Sequence, residues 1–102
     1  MMLWMLAAVA GMSDPQFDAA RSRAPADVVA FIDRWEGCNH WGGEPVPDKD
    51  VDPQQQRAKQ IERMWKKGRC DYVRADFKVL RAKYRANPRI ARLLAEVRSR
   101  YD

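Results

Sequence analysis

Residues 73–97 read VRADFKVLRAKYRANPRIARLLAEV, and the fold class follows from this stretch. Val73, Phe77, Leu80 and Tyr84 recur at helical spacing, as do Ile90, Leu93, Leu94 and Val97, so each half carries one apolar face. Asn87-Pro88 stands between the two halves. A residue before proline is pushed out of the helical region and asparagine is a good helix cap, so this pair stops one helix and starts the next. The spacing predicts helices over about 71–86 and 88–99, folded back as a hairpin.

Working outward, Asp52-Pro53 predicts the start of a helix over 53–67, with an acidic cap and proline at the first helical position. Its buried face would hold Ala58, Ile61, Met64 and Trp65, with Glu62 and Lys66 paired outside and Gly68 closing it. Further upstream, Pro25 and Asp27 suit a first turn, and Val28, Phe31, Ile32 and Trp35 form a stripe. Gly37 is placed to end that helix in a left-handed turn, leaving Cys38 just beyond it. From Asn39 to Asp52, Gly42-Gly43, Pro45 and Pro47 are too dense for helix or central strand and predict a loop. Ser13 to Ala24 shows no sustained period and reads as a tether with a weak helical turn near Phe17. No strand-like alternation occurs anywhere. The expectation is therefore all-α: one domain over 25–102, a small bundle of about four short helices at 25–37, 53–67, 71–86 and 88–99. A chain of 102 residues, 46% hydrophobic and 32% charged, has room for one core and not for two.

Residues 1–12 begin with the apolar run MMLWMLAAVA, which ends in Ala8-Val9-Ala10 and so satisfies the small-residue rule for signal-peptidase cleavage. The run predicts cleavage near Ala10 and a periplasmic or secreted protein, although no Lys or Arg precedes it. It is too short to cross a bilayer as a helix, which takes about 20 residues, so no membrane span is expected. The two cysteines, Cys38 and Cys70, are separated by 31 residues and offer one disulfide to a domain small enough to need it.

Charge is divided along the chain. Ser13 to Asp52 carries 9 acidic and 4 basic residues, whereas Arg57 to Arg100 carries 4 acidic and 15 basic ones. Arg74, Lys78, Arg81 and Arg85 line up on one side of the third helix as a stripe able to meet an anionic ligand. Without a groove-reading motif, an RNA-binding signature or aromatic interleaving, the sequence argues against nucleic acid as the partner and favours a solvated face. A basic protein for nucleic acid or anionic surfaces is the alternative reading.

The stretch from Cys38 to Glu44 is the least ordinary in the chain, with a thiol, the only histidine, an indole and a carboxylate around two glycines. As a zinc site, Cys38, His40, Glu44 and Cys70 supply suitable atoms at poor spacing. As an enzyme, His40 and Glu44 could act as base and orienting partner, but no nucleophile, oxyanion donor or cofactor motif accompanies them. We therefore assign no catalytic residue, metal or cofactor, and take His40, Trp41 and Glu44 as the candidate binding residues for a protein partner. The bland reading has Trp35, Trp41 and Trp65 gathered around the cysteine pair, with His40 and Glu44 hydrogen-bonding the loop backbone.

The run Cys38-Asn39-His40-Trp41-x-Gly43-Glu44, the acidic loop with prolines, a basic helix ending at Cys70 and the later Tyr84-x-x-Asn87-Pro88 resemble a set of small bacterial exported proteins. The likeness covers roughly Phe31 to Leu94. It implies export and a Cys38–Cys70 bond, and carries no activity. The functional expectation is an exported helical binding or accessory protein, inhibitor-like or immunity-like, acting through protein contacts.

Overall fold

The computed structural model describes residues 11–102, and no strand occurs among them. Five α-helices follow in order: α1 Asp14–Ser22, α2 Ala26–Gly42, α3 Gln56–Lys67, α4 Val73–Lys83 and α5 Pro88–Tyr101. A 3-10 turn over Cys70–Tyr72 leads into α4. The expected run MMLWMLAAVA with its cleavage point lies outside the described residues.

The hairpin of α4 and α5 matches its pattern. Asn87 accepts from the Ile90 N–H at 3.2 Å, with Pro88 opening α5. Val73, Phe77, Leu80, Ile90, Leu93, Leu94 and Val97 are all buried, and Tyr84 packs against them half-buried. Tyr84 also donates its hydroxyl to Asp27 at the start of α2, which Lys83 reaches as well, at 2.8 and 2.7 Å. Those two donors hold the Asp27 carboxyl below its ordinary pKa, Lys83 contributing most.

Residues 13–24 correct the expectation of a tether. Ser13 and Gln16 form a reciprocal capping box, which satisfies two N–H groups at the start of α1. Phe17 then buries its ring in the common core, leaving 3% exposed. A helix this short shows no period because it needs only that one anchor. Arg100 of α5 holds it in place, with its guanidinium 4.2 Å from the Phe17 ring centroid and hydrogen bonds to Asp14 and the Met12 carbonyl. Glu96, nearly buried, accepts from the Met12 N–H and from Arg100, both at 2.8 Å. The domain therefore starts well before Pro25.

The second correction concerns the end of α2. The helix runs through Gly37 to Gly42, so Cys38, His40 and Trp41 are helical rather than beyond the helix. Glycine inside a helix costs about 1 kcal/mol relative to alanine, and burying Trp35 and Cys38 on the same face offsets it. Among the described residues the left-handed ones are instead Gln55 and Arg69, one before α3 and one after it.

Helix α3 starts at Gln56, three residues later than Asp52-Pro53 predicts. Asp52 still caps it, accepting from the N–H groups of Gln56 and Arg57 at 3.1 and 2.9 Å. A turn ending in the left-handed Gln55 separates the cap from the helix. Helix α4 is likewise shorter than 71–86, because the 3-10 turn takes its first residues and the chain leaves the helix at Tyr84.

Core side chains come from α1, α2, α4 and α5. Helix α3 contributes none that is fully buried, and Ala58, Ile61, Met64 and Trp65 are only half-covered. It lies against α2 outside the four-helix core, and what holds it there defines the candidate site.

Candidate functional site

The last turn of α2 presents His40 and Trp41, and Gly43 closes it by donating to the carbonyls of Asn39 and His40. The chain then turns, and Glu44 folds back. Its carboxylate pairs with His40 Nε2 at 3.1 Å and with Arg57 Nη2 of α3 at 2.9 Å. Arg57 also lies over the Trp41 ring, 5.3 Å from its centroid, while the His40 ring meets Trp41 edge to face at 5.1 Å. The structure thus brings His40, Trp41 and Glu44 together, with Arg57 as the fourth member. His40 and Glu44 engage side chains rather than the loop backbone. His40 is 60% exposed against 22% for Glu44, so the imidazole faces solvent and the carboxylate serves as the tie.

At the other end of α3 the tie is covalent. Cys38 of α2 is bonded to Cys70, with Cα atoms 5.5 Å apart. Gly68 packs directly on the bond: a Cβ there would come within 3.0 and 3.1 Å of the two sulfur atoms, so the turn after α3 needs glycine. Arg34 of α2 donates to the carbonyls of Gly68 and Arg69 and pairs with Asp76 at 2.8 Å, placing a cation where the α3 carbonyls end. The thiols that a zinc reading would require are joined to each other. The serines lie on or beside α1 and on α5, and none lines either groove at the disulfide.

The disulfide borders two grooves. The larger, about 650 Å³, has Trp41, Met64 and the disulfide as its apolar lining and Asp33, Arg34, Lys67, Arg69 and Asp76 as its charged lining. The second, about 520 Å³, includes Trp35, Trp65, Asp71 and Tyr101. Trp35, Trp41 and Trp65 therefore all line grooves beside the bond, although Trp35 also belongs to the core, where it packs on Phe31 and Phe77. Trp65 donates its indole N–H to Asp71 at 2.9 Å and lies so close to Gly42 that a Cβ there would approach its ring within 3.0 Å.

Arg74, Lys78, Arg81 and Arg85 are all exposed, the first three on α4 and Arg85 just past its end. Arg74 pairs with Asp102 at 2.7 Å and Arg81 lies over the Phe77 ring. Arg74 also lines the second groove beside Asn39, Gly42 and Gly43, whereas Lys78, Arg81 and Arg85 line neither groove. Sequence reasoning missed Arg57 and Met64 as site residues. Arg57 lies thirteen positions from Glu44 on another helix, and Met64 at helical spacing reads as core. Comparison with protein-family models, with curated proteins and with solved structures gives no match.

Proposed function

We propose that this is an exported binding protein that takes a segment of a protein partner into the groove between α2 and α3, next to His40, Trp41 and Glu44. The observation that carries it is the 650 Å³ groove, where Trp41, Met64 and the disulfide offer apolar surface beside both signs of charge. Concave apolar surface with a few fixed charges is the usual form of a recognition site, and an aromatic anchor such as Trp41 is the usual energetic centre. His40 and Glu44 extend the polar edge. An inhibitor-like or immunity-like role is of this kind, since such proteins work by occupying a partner.

Peptides selected from a random display library against the oxidised protein should bind the parent and weaken about tenfold or more on Met64→Arg and Trp41→Ala. His40→Ala and Glu44→Ala should weaken the same peptides while shifting unfolding free energy by less than about 1 kcal/mol. Peptides indifferent to all four variants, or losses of about 2 kcal/mol or more in stability from both polar variants, would mean that the cluster is structural.

Export is part of the same proposal. Disulfides persist outside the reducing cytosol, and among the described residues no helix is long and apolar enough to cross a membrane. Intact-mass measurement of protein from its native host should show an N-terminus beyond Ala10 and oxidised cysteines. Retention of Met1 with free thiols would overturn export.

A further inference from the structure

The outward face of the α4–α5 hairpin carries a charge pattern that the groove does not use. The four carboxylates of residues 71–102 are all engaged with other groups. Asp71 accepts from Trp65, Asp76 faces Arg34, Glu96 holds Met12 and Arg100, and Asp102 lies between Arg74 and Arg98. Lys78, Arg81, Arg85, Arg89 and Arg92 are exposed, and none has a carboxylate within ion-pair distance among the described residues. Repulsion among so many uncompensated cations on one hairpin is tolerated in water but not used there. An anionic surface would relieve it.

Beside the cationic row runs an apolar one. Tyr72, Ala75, Val79 and Ala82, at steps of three and four residues, are all exposed. Val79 is 71% exposed and Tyr72 57%, two of the four large apolar side chains left open to solvent among the described residues. Arg69 stacks on Tyr72. The row has one tyrosine, one valine and two alanines, and Arg74, Lys78, Arg81 and Arg85 lie about a third of a turn round the helix on one side of it, so that their long stems can reach the headgroup level at which the shallow apolar groups sit. A phosphate backbone would leave Val79 in water, and the face offers one exposed ring, Tyr72, already covered by Arg69, rather than a series on which successive bases stack.

We propose that α4 docks the protein on an anionic phospholipid surface, with Val79 and Tyr72 at the headgroup boundary and Lys78, Arg81 and Arg85 on the lipid phosphates. This goes beyond the groove and does not depend on it. Asp76, on the same side of α4 as Tyr72 and Val79, and Arg69, stacked on Tyr72, border the groove, so the row adjoins its rim while Lys78, Arg81 and Arg85 lie outside its lining.

The full chain should sediment with vesicles of phosphatidylcholine mixed with phosphatidylglycerol, not with phosphatidylcholine alone, and should be released by salt. The double variant Lys78→Glu, Arg81→Glu should lower the partition coefficient by about tenfold or more. Val79→Ser should lower it about threefold. All three positions are exposed, so the variants should melt like the parent, and Lys78→Glu alone repeats the test if the double variant does not. Equal binding to both kinds of vesicle, or binding that charge reversal leaves unchanged, would assign attachment to the apolar N-terminal run and overturn the proposal. No binding would do the same. Displacement by short duplex DNA, combined with indifference to Val79→Ser, would make the face a polyanion site and also overturn it.

Discussion

Reducing the Cys38–Cys70 bond, or replacing both cysteines with serine, should lower the thermal midpoint by about ten degrees or more. The bond spans 32 positions of sequence, and closing a loop of that length is worth about 3.5 kcal/mol in the chain-entropy model. That is a large fraction of the stability of a small domain. The architecture adds a local consequence. Helix α3 has 12 residues, none fully buried, and a free helix of that length is marginal in water. Without the bond, α3 is held by its half-covered apolar face, the hydrogen bond of Trp65 to Asp71, the Glu44–Arg57 pair, the contact of Arg57 with Trp41 and the reach of Arg34 to Gly68 and Arg69. Hydrogen exchange in the reduced protein should therefore speed up most between Glu44 and Lys67, with α2, α4 and α5 retaining more protection. A double-serine variant that melts within about two degrees of the parent would show that the bond contributes nothing.

Phe17→Ala should cost about 3–5 kcal/mol, as deletion of a buried aromatic side chain does elsewhere. Phe17 is the only side chain of α1 that is fully buried, and what remains without its ring is the half-buried Ala20 and the exposed pairing of Arg21 with Asp33 and Glu36 of α2. Its ring also carries the Arg100 guanidinium, and that arginine links Glu96, Asp14 and the Met12 carbonyl. A chain beginning at Pro25 should be destabilised at least as much. Chemical denaturation of both proteins checks this: a Phe17→Ala loss below about 1 kcal/mol would return residues 13–24 to the status of a tether.

Much of the fold was legible because it is written in local pattern. The apolar faces of α4 and α5, the Asn87-Pro88 stop and start, and the Val28, Phe31, Ile32 and Trp35 stripe are spacing effects within one helix. Asp52 was recognisable as a cap for the same reason, even though the turn through Gln55 moved the helix start to Gln56. The Ser13 and Gln16 capping box was equally local, and α1 could have been found from it.

The sequence by itself determined the helical class, the hairpin, most of the core and the pairing open to two cysteines, because each depends on residue type and short-range period. Only the tertiary structure decided that α2 continues through Gly37, since the intrinsic cost of glycine there is outweighed by packing that no local window contains. It likewise decided that α3, whose pattern matches a core helix, lies half-covered outside the core, because how much of an amphipathic face is buried depends on what the other helices leave open. The union of Glu44 with Arg57, and of Phe17 with Arg100, belongs to the same class. Those partners stand 13 and 83 positions apart, and only the closing of the chain brings their charges and rings within reach.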